Sequence, residues 1–500
     1  MTQLPQIRSR MRDLHLTDEV PLIAQLAKYA ALSEADRETI VVNAAALVEQ
    51  IRGDKNPGMM EVFLSEYGLS NSEGIALMCL AEALLRVPDA QTMDDLIEDK
   101  LTDRGWAEHV GKSDSNLVNA STWALMLTGK VLDEADEPGV FSAMRGLVKR
   151  MGEPVIRRAV RAAMKEMGNQ FVLGETIQDA VKRGAKRKTQ GYTYSYDMLG
   201  EAALTDADAR VFTKAYADAI AHLAKHSTNK HVRNNPGISI KLSALFPRFE
   251  LAHKPAVMDV LVKRLRDLVL LACEANMGLN IDAEEADRLD LSLDIIADVL
   301  ADPRLVGWDG FGVVVQAYGK RCSTVLDYLY ELSGQLDRKI MVRLVKGAYW
   351  DTEIKLAQVE ALTDFPVFTK KCGTDISYIS CARKLLNMAD RIYPQFATHN
   401  AHSVHAILHM AKDQRFEFQR LHGMGGALYD HVMVDRDIRC RIYAPVGVHD
   451  DLLAYLVRRL LENGANSSFV NKILDDETPA RDVVADPFSA WSAALADDTW

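Results

Sequence analysis

The sequence predicts an α/β protein whose main body is a parallel (β/α)8, TIM-like barrel, preceded by an N-terminal helical arm and an all-α domain. Three observations support this fold class. First, short apolar runs rich in Val and Ile alternate with helix-like stretches after residue 190, as expected for repeated β-α units. Second, eight such units occupy roughly 270 residues, which is a typical size for a (β/α)8 barrel. Third, no G-x-G-x-x-G follows the first run, which disfavours an open dinucleotide-binding sheet.

Changes in residue composition and hydrophobic pattern divide the chain into four predicted parts. The arm covers 1–54, the all-α domain 55–172, the barrel body 173–475 and a linker or tail 476–500. A break rich in Gly and Pro near residue 55 separates the arm from the all-α domain.

Eight segments of the barrel body are candidate strands. A basic run at 182–188 precedes all of them and is predicted to be a solvated loop, because the chain is acidic overall. The candidate strands cover 192–199, 237–242, 278–282, 312–316, 339–345, 395–398, 416–421 and 439–444.

The composition disfavours several classes of protein. The chain has 500 residues, 48% of them hydrophobic and 26% charged, which is ordinary for a soluble globular protein. Its net charge of −11 disfavours a nucleic-acid partner, because phosphate backbones require a basic surface. No apolar run approaches the roughly 20 residues of a membrane span. Six cysteines without a C-x-x-C motif fit reduced cytoplasmic thiols rather than disulfides or zinc.

The carboxyl ends of the predicted strands carry polar residues, and in such barrels the active site lies at these ends. Lys241, Asp282, Gln316 and Arg343 all occur there. Each could belong to a structural ion-pair network, but polar groups at most of the strand ends favour a functional site. No metal is expected, since the histidines of this region have no matching carboxylate motif. The sequence has no G-x-S-x-G, which disfavours a serine hydrolase.

Two adjacent arginines, Arg458 and Arg459, stand in an otherwise apolar helix predicted to begin near Asp451. Neighbouring helix residues point about 100° apart, so both side chains cannot share one solvent face of this helix. Taken alone, the pair fits surface residues, with Arg458 bonded to Glu462. Beside the barrel mouth, the pair fits an anion site. The residues alone therefore predict a cofactor-dependent barrel whose substrate carries a carboxylate.

Four stretches resemble the proline dehydrogenase half of bacterial PutA proteins, within a similarity that runs from about residue 60 to 475. The resemblance implies FAD-dependent oxidation of L-proline to Δ1-pyrroline-5-carboxylate, with electrons passed to a membrane quinone. The alternatives are another flavin barrel, such as a methylenetetrahydrofolate reductase-like enzyme, or a non-enzymatic scaffold. The four stretches are YSYDMLGE at 194–201, GISIKLS at 237–243, RLVKGAYW at 343–350 and RRLLENGAN at 458–466.

The resemblance also implies a cytoplasmic protein with peripheral contact at the inner membrane. PutA continues into an aldehyde dehydrogenase half, and this sequence reaches Trp500 within what resembles the connecting segment, so we expect no second activity. Some members begin with a ribbon-helix-helix DNA-binding domain. No such pattern precedes Asp54, so we expect no operator binding and no nucleic-acid partner.

On matching positions, the resemblance implies that Lys241, Arg458 and Arg459 bind the substrate carboxylate. The remaining substrate-site residues would be Asp282, Ala348, Tyr349, Leu421, Tyr443 and Tyr455. Arg343 would approach flavin N5, with Gln316 and the backbone of Val345 and Gly347 beside it. The other FAD contacts would be Trp350, Thr369, Lys370, Lys371, Thr398, His399, Asn400, Glu462, Ser468 and Phe469. Arg420 replaces a small residue expected from the family pattern.

Overall fold

Eight parallel strands form a closed barrel in chain order, which confirms the predicted fold class. The structure, a computed structural model, describes residues 3–53, 172–434, 438–447, 473 and 477–497. Each candidate strand of the sequence corresponds to one strand of the barrel. The strands are β1 Thr193–Met198, β2 Gly237–Ile240, β3 Gly278–Ile281, β4 Phe311–Gln316, β5 Ile340–Val345, β6 Ile392–Ala397, β7 Glu417–Leu421 and β8 Arg439–Val446.

The strands are recognisable in the sequence because parallel strands are covered on both faces and become continuous apolar runs. Residues 311–315 of β4 illustrate this, since all of them are buried. Val314 of β4 pairs with Arg343 of β5, and Ser195 of β1 pairs with Tyr443 of β8. The second pairing closes the barrel and brings the first and last strands of the body together.

Helices alternate with the strands and cover the outside of the barrel. Short 3-10 or single-turn segments occur at Val232–Asn234, Leu242–Ala244, Leu251–His253, Lys254–Ala256, Ala286–Arg288 and Pro303–Leu305, and a π-helical turn at Val257–Leu261. The longer described helices are α1 Leu4–Asp13, α2 Glu19–Ala30, α3 Glu34–Arg52, α4 Ile177–Lys188, α5 Asp206–Ala224, α6 Val262–Glu274, α7 Leu289–Leu300, α8 Cys322–Gln335, α9 Trp350–Val359, α10 Lys371–Asn387, α11 Ala401–Ala411, α12 Gly426–Met433, α13 Ala480–Val483 and α14 Pro487–Ala496.

The prediction of a loop at 182–188 was wrong, because these residues form the second half of α4. Thr176 caps the helix by accepting a hydrogen bond from the Asp179 amide at 3.2 Å. Three of the basic residues, Lys186, Arg187 and Lys188, fall in the last turn, where positive charge is favourable at the negative end of the helix dipole.

The N-terminal arm packs along the outside of the barrel. Helix α1 contacts α8, α2 contacts α10 and α3 contacts α11, while α13 and α14 contact α3 and α10. Capping fixes where the arm helices begin, since Asp18 caps α2 and Ser33 forms a capping box with Asp36 on α3. The arm therefore packs on three of the helices, α8, α10 and α11, that cover the outside of the barrel. The predicted domain boundaries stay predictions, and the predicted all-α domain lies outside the described residues.

Candidate active site

Four of the predicted site residues meet at the mouth of the barrel, where the strands end. Lys241 and Asp282 follow β2 and β3 directly, while Arg343 lies in β5 and Tyr443 in β8. The Tyr443 hydroxyl donates to Asp282 Oδ2 at 2.8 Å. Asp282 Oδ1 pairs with Arg343 Nη2, and Lys241 Nζ lies 3.6 Å from Asp282 Oδ2. Asp282 therefore connects both cations and the phenol.

Asp197 of β1 completes this cluster and was not predicted from the sequence. Its carboxylate is fully buried, and Lys241 Nζ donates to both of its oxygens at 2.9 Å. Burial alone would lower the pKa of Lys241, but Asp197, with Tyr443 and Asp282, outweighs burial and holds that pKa well above its usual value. Lys241 is therefore an ammonium at neutral pH. The signal in the sequence was a single carboxylate in the otherwise uncharged first strand.

Arg343 is held inside the barrel by neutral partners as well as by Asp282. Its guanidinium donates to Ser239 Oγ at 3.2 Å and to Gln419 Oε1 at 3.3 Å. It also lies 5.0 Å from the centre of the Tyr443 ring, within cation–π range. A buried guanidinium needs such partners, because breaking a buried charge pair costs several kcal/mol. The orientation of Arg343 is thus fixed before any ligand binds.

A second polar layer lies beneath the mouth. Arg441 of β8 is buried, and its Nε donates to Glu417 Oε1 of β7 at 2.8 Å. Gln419 and Gln395 also donate to Glu417, at 3.0 Å and 2.8 Å. This layer is fully inside the barrel, so it supports the mouth cluster rather than contacting a ligand.

The predicted cofactor residues at the end of β6 organise the loop that leads into α11. Thr398 Oγ1 accepts from the Asn400 amide at 3.1 Å, and Asn400 Oδ1 caps α11 by accepting from the Ser403 amide at 3.0 Å. His399 Nε2 accepts from the Leu421 amide at 3.0 Å, which places the neutral ring proton on Nδ1. The contact joins the β6 and β7 ends, so Leu421 and His399 are neighbours.

A cationic group lies at the start of α10, next to the predicted cofactor residues. Lys346 and Lys371 both pair with Asp375, and no side chain caps the helix at Lys370. Burial alone would raise the pKa of Asp375, but the two lysines outweigh it and hold that pKa well below its usual value. Two ammonium groups with one carboxylate and the helix N-terminus form an electropositive surface suited to an anion.

Thr369 lies one residue before this group but is already engaged by the arm. Both the amide and the hydroxyl of Thr369 donate to the Glu19 carboxylate of α2, the amide at 2.8 Å. Trp350 of α9 is 40% exposed and donates its indole N–H to the Phe368 carbonyl at 2.8 Å. Residues predicted only as cofactor contacts therefore also join α9, α10 and the arm.

The backbone at the end of β5, predicted to contact the flavin, also has a role in packing. Gly347 has φ +133°, and a Cβ there would lie 2.6 Å from the Tyr318 ring, so glycine is required by packing. The Val345 carbonyl accepts from the Ala317 amide at 2.8 Å, and Gln316 Nε2 donates to the Glu284 carbonyl at 2.9 Å. Ala348 is exposed and Tyr349 partly exposed, so both border the mouth.

Several predicted site residues fall in parts of the chain that the structure does not describe. They are Tyr455, Arg458, Arg459, Glu462, Ser468 and Phe469. Arg420 is described, and its guanidinium contacts the loop that follows β7. Its Nη1 donates to the Leu421 and Met424 carbonyls at 3.1 Å and 3.0 Å, and its guanidinium lies 5.0 Å from the Tyr192 ring centre.

The fold and the mouth define a class of protein, a (β/α)8 barrel with a buried cation–carboxylate site at the carboxyl ends of its strands. A family model described as proline dehydrogenase matches residues 180–472, more than half of the chain. The chain therefore belongs to the proline dehydrogenase family. A second family model, described as the DNA-binding domain of proline dehydrogenase, matches residues 59–171, which lie outside the described residues. The absence of a nucleic-acid partner stays a prediction.

Similar proteins and a similar solved structure support this family assignment. The chain is 50% identical to the bifunctional protein PutA of Salmonella typhimurium over 94% of its own length and 37% of that protein's length. It is 27% identical to proline dehydrogenase 1 of Bacillus subtilis, over 60% of this chain and 88% of that one. A crystal structure of a Bradyrhizobium japonicum proline utilization A (PutA) variant superposes with TM-score 0.73 at 50% identity, covering 95% of this chain and 48% of that chain.

The described residues contain neither a membrane-spanning helix nor a metal-binding cluster. None of the helices in this part of the chain has the length and hydropathy required to cross a membrane. Within the same residues, His, Cys, Asp and Glu side chains form no group of three or more able to hold a metal ion.

Proposed function

We propose that this chain oxidises L-proline to Δ1-pyrroline-5-carboxylate with FAD as its cofactor, the first step of proline catabolism. The observation that carries the proposal is the cluster of Lys241, Asp282, Arg343 and Tyr443 at the mouth of a proline dehydrogenase-family barrel. In this cluster Lys241 is a fixed cation for the substrate carboxylate, and the guanidinium of Arg343 is fixed beside the place where the reaction would occur.

Lys241 would bind the substrate carboxylate together with Arg458 and Arg459. An ammonium has three protons to donate, and Lys241 directs its contacts to Asp197 at 2.9 Å and, more weakly, to the Tyr443 hydroxyl at 3.4 Å. A substrate carboxylate competes with Tyr443 for the third proton. Charge-assisted hydrogen bonds of this kind fix orientation as well as charge.

The apolar ring of proline would pack among the side chains that border the mouth. Tyr443 is held by Asp282 on one side and by the Arg343 guanidinium on its ring face. These two contacts fix the position of the phenol ring. Ala348, Tyr349, Leu421 and Tyr455 would complete the pocket. Such rigid placement lowers the entropic cost of reaching the reactive geometry.

The residues beside the mouth fit a flat, anionic cofactor. Lys346, Lys371 and the uncapped start of α10 form an electropositive surface suited to a diphosphate. His402 offers a second observation, since its ring is buried and its Nε2 has no hydrogen-bond partner in the described structure. Trp350 presents an exposed aromatic face nearby.

When bound, FAD supplies the hydride acceptor for proline C5, at flavin N5. Arg343 would lie beside the flavin and favour negative charge on its reduced form, with Gln316 and the backbone of Val345 and Gly347. The other proposed FAD contacts are Trp350, Thr369, Lys370, Lys371, Thr398, His399, Asn400, Glu462, Ser468 and Phe469.

We further propose a cytoplasmic protein that passes its electrons to a quinone through peripheral contact with the inner membrane. The chain spans 37% of the length of the Salmonella typhimurium relative, which is named bifunctional protein PutA. We therefore propose that an aldehyde dehydrogenase half is the natural partner of this activity.

Turnover with a dye acceptor tests the proposal. Purified protein reconstituted with FAD should reduce the dye only when L-proline is added, with formation of the cyclic imine. Dye reduction that depends on NADH and not on proline would instead identify a reductase of the methylenetetrahydrofolate type. A protein that binds no FAD and reduces no dye would support a scaffold.

A further inference from the structure

Glu19 of the arm is a buried carboxylate that accepts hydrogen bonds from a residue of the barrel. Its exposure is 8%, although it stands in the first turn of α2 at the edge of the molecule. The carboxylate accepts one hydrogen bond from the Thr369 amide at 2.8 Å and a second from the Thr369 hydroxyl. A buried carboxylate is costly without such donors, so this contact fixes the arm against the loop before α10.

The contact determines what Thr369 can offer a ligand. A threonine has one hydroxyl proton and one amide proton, and Glu19 receives both. Phosphate oxygens only accept hydrogen bonds at neutral pH, so Thr369 has no proton left for a diphosphate. Thr369 therefore holds the loop through both protons, which leaves its methyl group and the lone pairs of its hydroxyl oxygen for the proposed FAD contact.

The remainder of this loop is attached to the same part of the arm through Lys320. This side chain is almost completely buried, and its Nζ donates to the Thr17 carbonyl at 2.7 Å and to Asp364 Oδ1 at 3.0 Å. The Lys320 amide also donates to the Pro366 carbonyl at 3.1 Å. Two arm residues, Thr17 through Lys320 and Glu19 directly, thus fix both ends of residues 364–369.

Barrel residues hold the loop from the opposite side. The Phe368 amide donates to the Tyr318 carbonyl at 2.8 Å, and the Phe368 carbonyl accepts from the Trp350 indole. The loop leads directly into Lys370 and Lys371 at the start of α10. Its position therefore sets where those two cations stand relative to the barrel mouth.

We propose that the N-terminal arm is part of the cofactor site and that Glu19 is a positioning residue, acting through Thr369 to hold Lys370 and Lys371 for the cofactor diphosphate. This inference rests on the proposed function for the identity of the cofactor. The contact itself joins residues 350 positions apart in the chain, so the arm is coupled to the site by tertiary structure alone.

Replacing Glu19 by alanine in the full chain tests the inference by two readouts. The dissociation constant for FAD, measured by titrating flavin-free protein, should rise about tenfold, which corresponds to about 1.4 kcal/mol. Hydrogen exchange of the amides at 364–371 should accelerate in the flavin-free protein, because the Thr369 amide loses its acceptor. The KM for proline should change less than about twofold in the FAD-saturated enzyme.

Matched variants separate positioning from general loss of structure. Glu38→Ala removes another arm glutamate, whose partner Arg481 is exposed, and it should leave both readouts unchanged. Thr369→Val should reproduce the effect of Glu19→Ala, Thr369→Ser should restore near-normal FAD binding, and the Glu19→Ala, Thr369→Val pair should be non-additive.

Unchanged FAD affinity and unchanged exchange in both Glu19→Ala and Thr369→Val would overturn the inference. A wild-type chain that binds no FAD would refute the proposed function instead. The exchange measurement would still show whether Glu19 fixes the loop.

Discussion

Asp197 makes the largest favourable charge interaction of Lys241, so Asp197→Asn is the sharpest perturbation of the mouth cluster. Lys241 Nζ donates to both Asp197 oxygens at 2.9 Å, and the lysine and aspartate side chains are 9% and 0% exposed. Removing one partner of a buried ion pair costs about 3–5 kcal/mol. Asp282 stays 3.6 Å away and retains part of the compensation, so we expect a loss near 3 kcal/mol.

Urea unfolding monitored by circular dichroism measures this loss. The variant should unfold at a lower urea concentration with an unchanged slope, because the surface exposed on unfolding is the same. The KM for proline should rise about tenfold or more, since Lys241 is no longer held for the substrate carboxylate. FAD should stay bound, because none of the proposed flavin contacts is altered.

Asp218→Asn is the matched control for this variant. Asp218 also pairs with a lysine, Lys214 at 2.5 Å, but both side chains are more than 60% exposed. Exposed pairs contribute about 0–1 kcal/mol, so the control should unfold near the wild-type midpoint. If Asp197→Asn also unfolds there with unchanged KM, the assignment of Asp197 as the anchor of Lys241 is wrong.

Three further predictions concern other parts of the chain. Burial raises the pKa of Glu353 from its ordinary 4.5 to about 7, so Glu353 ionises at lower pH in the unfolded chain and the stability of the fold decreases as pH rises between those values. Glu353→Gln should remove this decrease, and urea midpoints should show the variant to be about 3 kcal/mol more stable than wild type at pH 8 and equally stable at low pH. Arg459→Met should raise the KM for proline strongly while the flavin spectrum is retained, and unchanged turnover would exclude Arg459 as a carboxylate ligand. Gel-shift titrations with duplex DNA should give no retarded band at physiological salt, given the net charge of −11; a salt-sensitive complex would reverse this expectation.

The barrel could be predicted from the sequence because local patterns specify it. Strands buried on both faces are apolar throughout, and the position of the active site at the strand ends follows from the fold class. Lys241, Asp282 and Arg343 could thus be named as candidates without coordinates. The structure brings these three together with Tyr443 through direct contacts. Their roles toward proline stay proposals.

Contacts between distant parts of the chain could not be predicted in this way. Asp197 lies 44 positions before Lys241, and strand alternation alone gives its direction but not its partner. Glu19 and Thr369 are farther apart still, and each has an ordinary local explanation, as a first-turn acid and as a loop threonine. The prediction of a loop at 182–188 was wrong for a local reason. Thr176 is a helix-start signal, and the prediction gave more weight to the charges of the basic run than to this cap.

The visible spectrum of the purified chain during anaerobic titration with L-proline is the most direct measurement of its function. The proposed function predicts a flavin absorbance band that is bleached by L-proline and is unaffected by NADH. A flavin band that proline leaves unchanged, or a colourless protein that cannot be reconstituted with FAD, would contradict it.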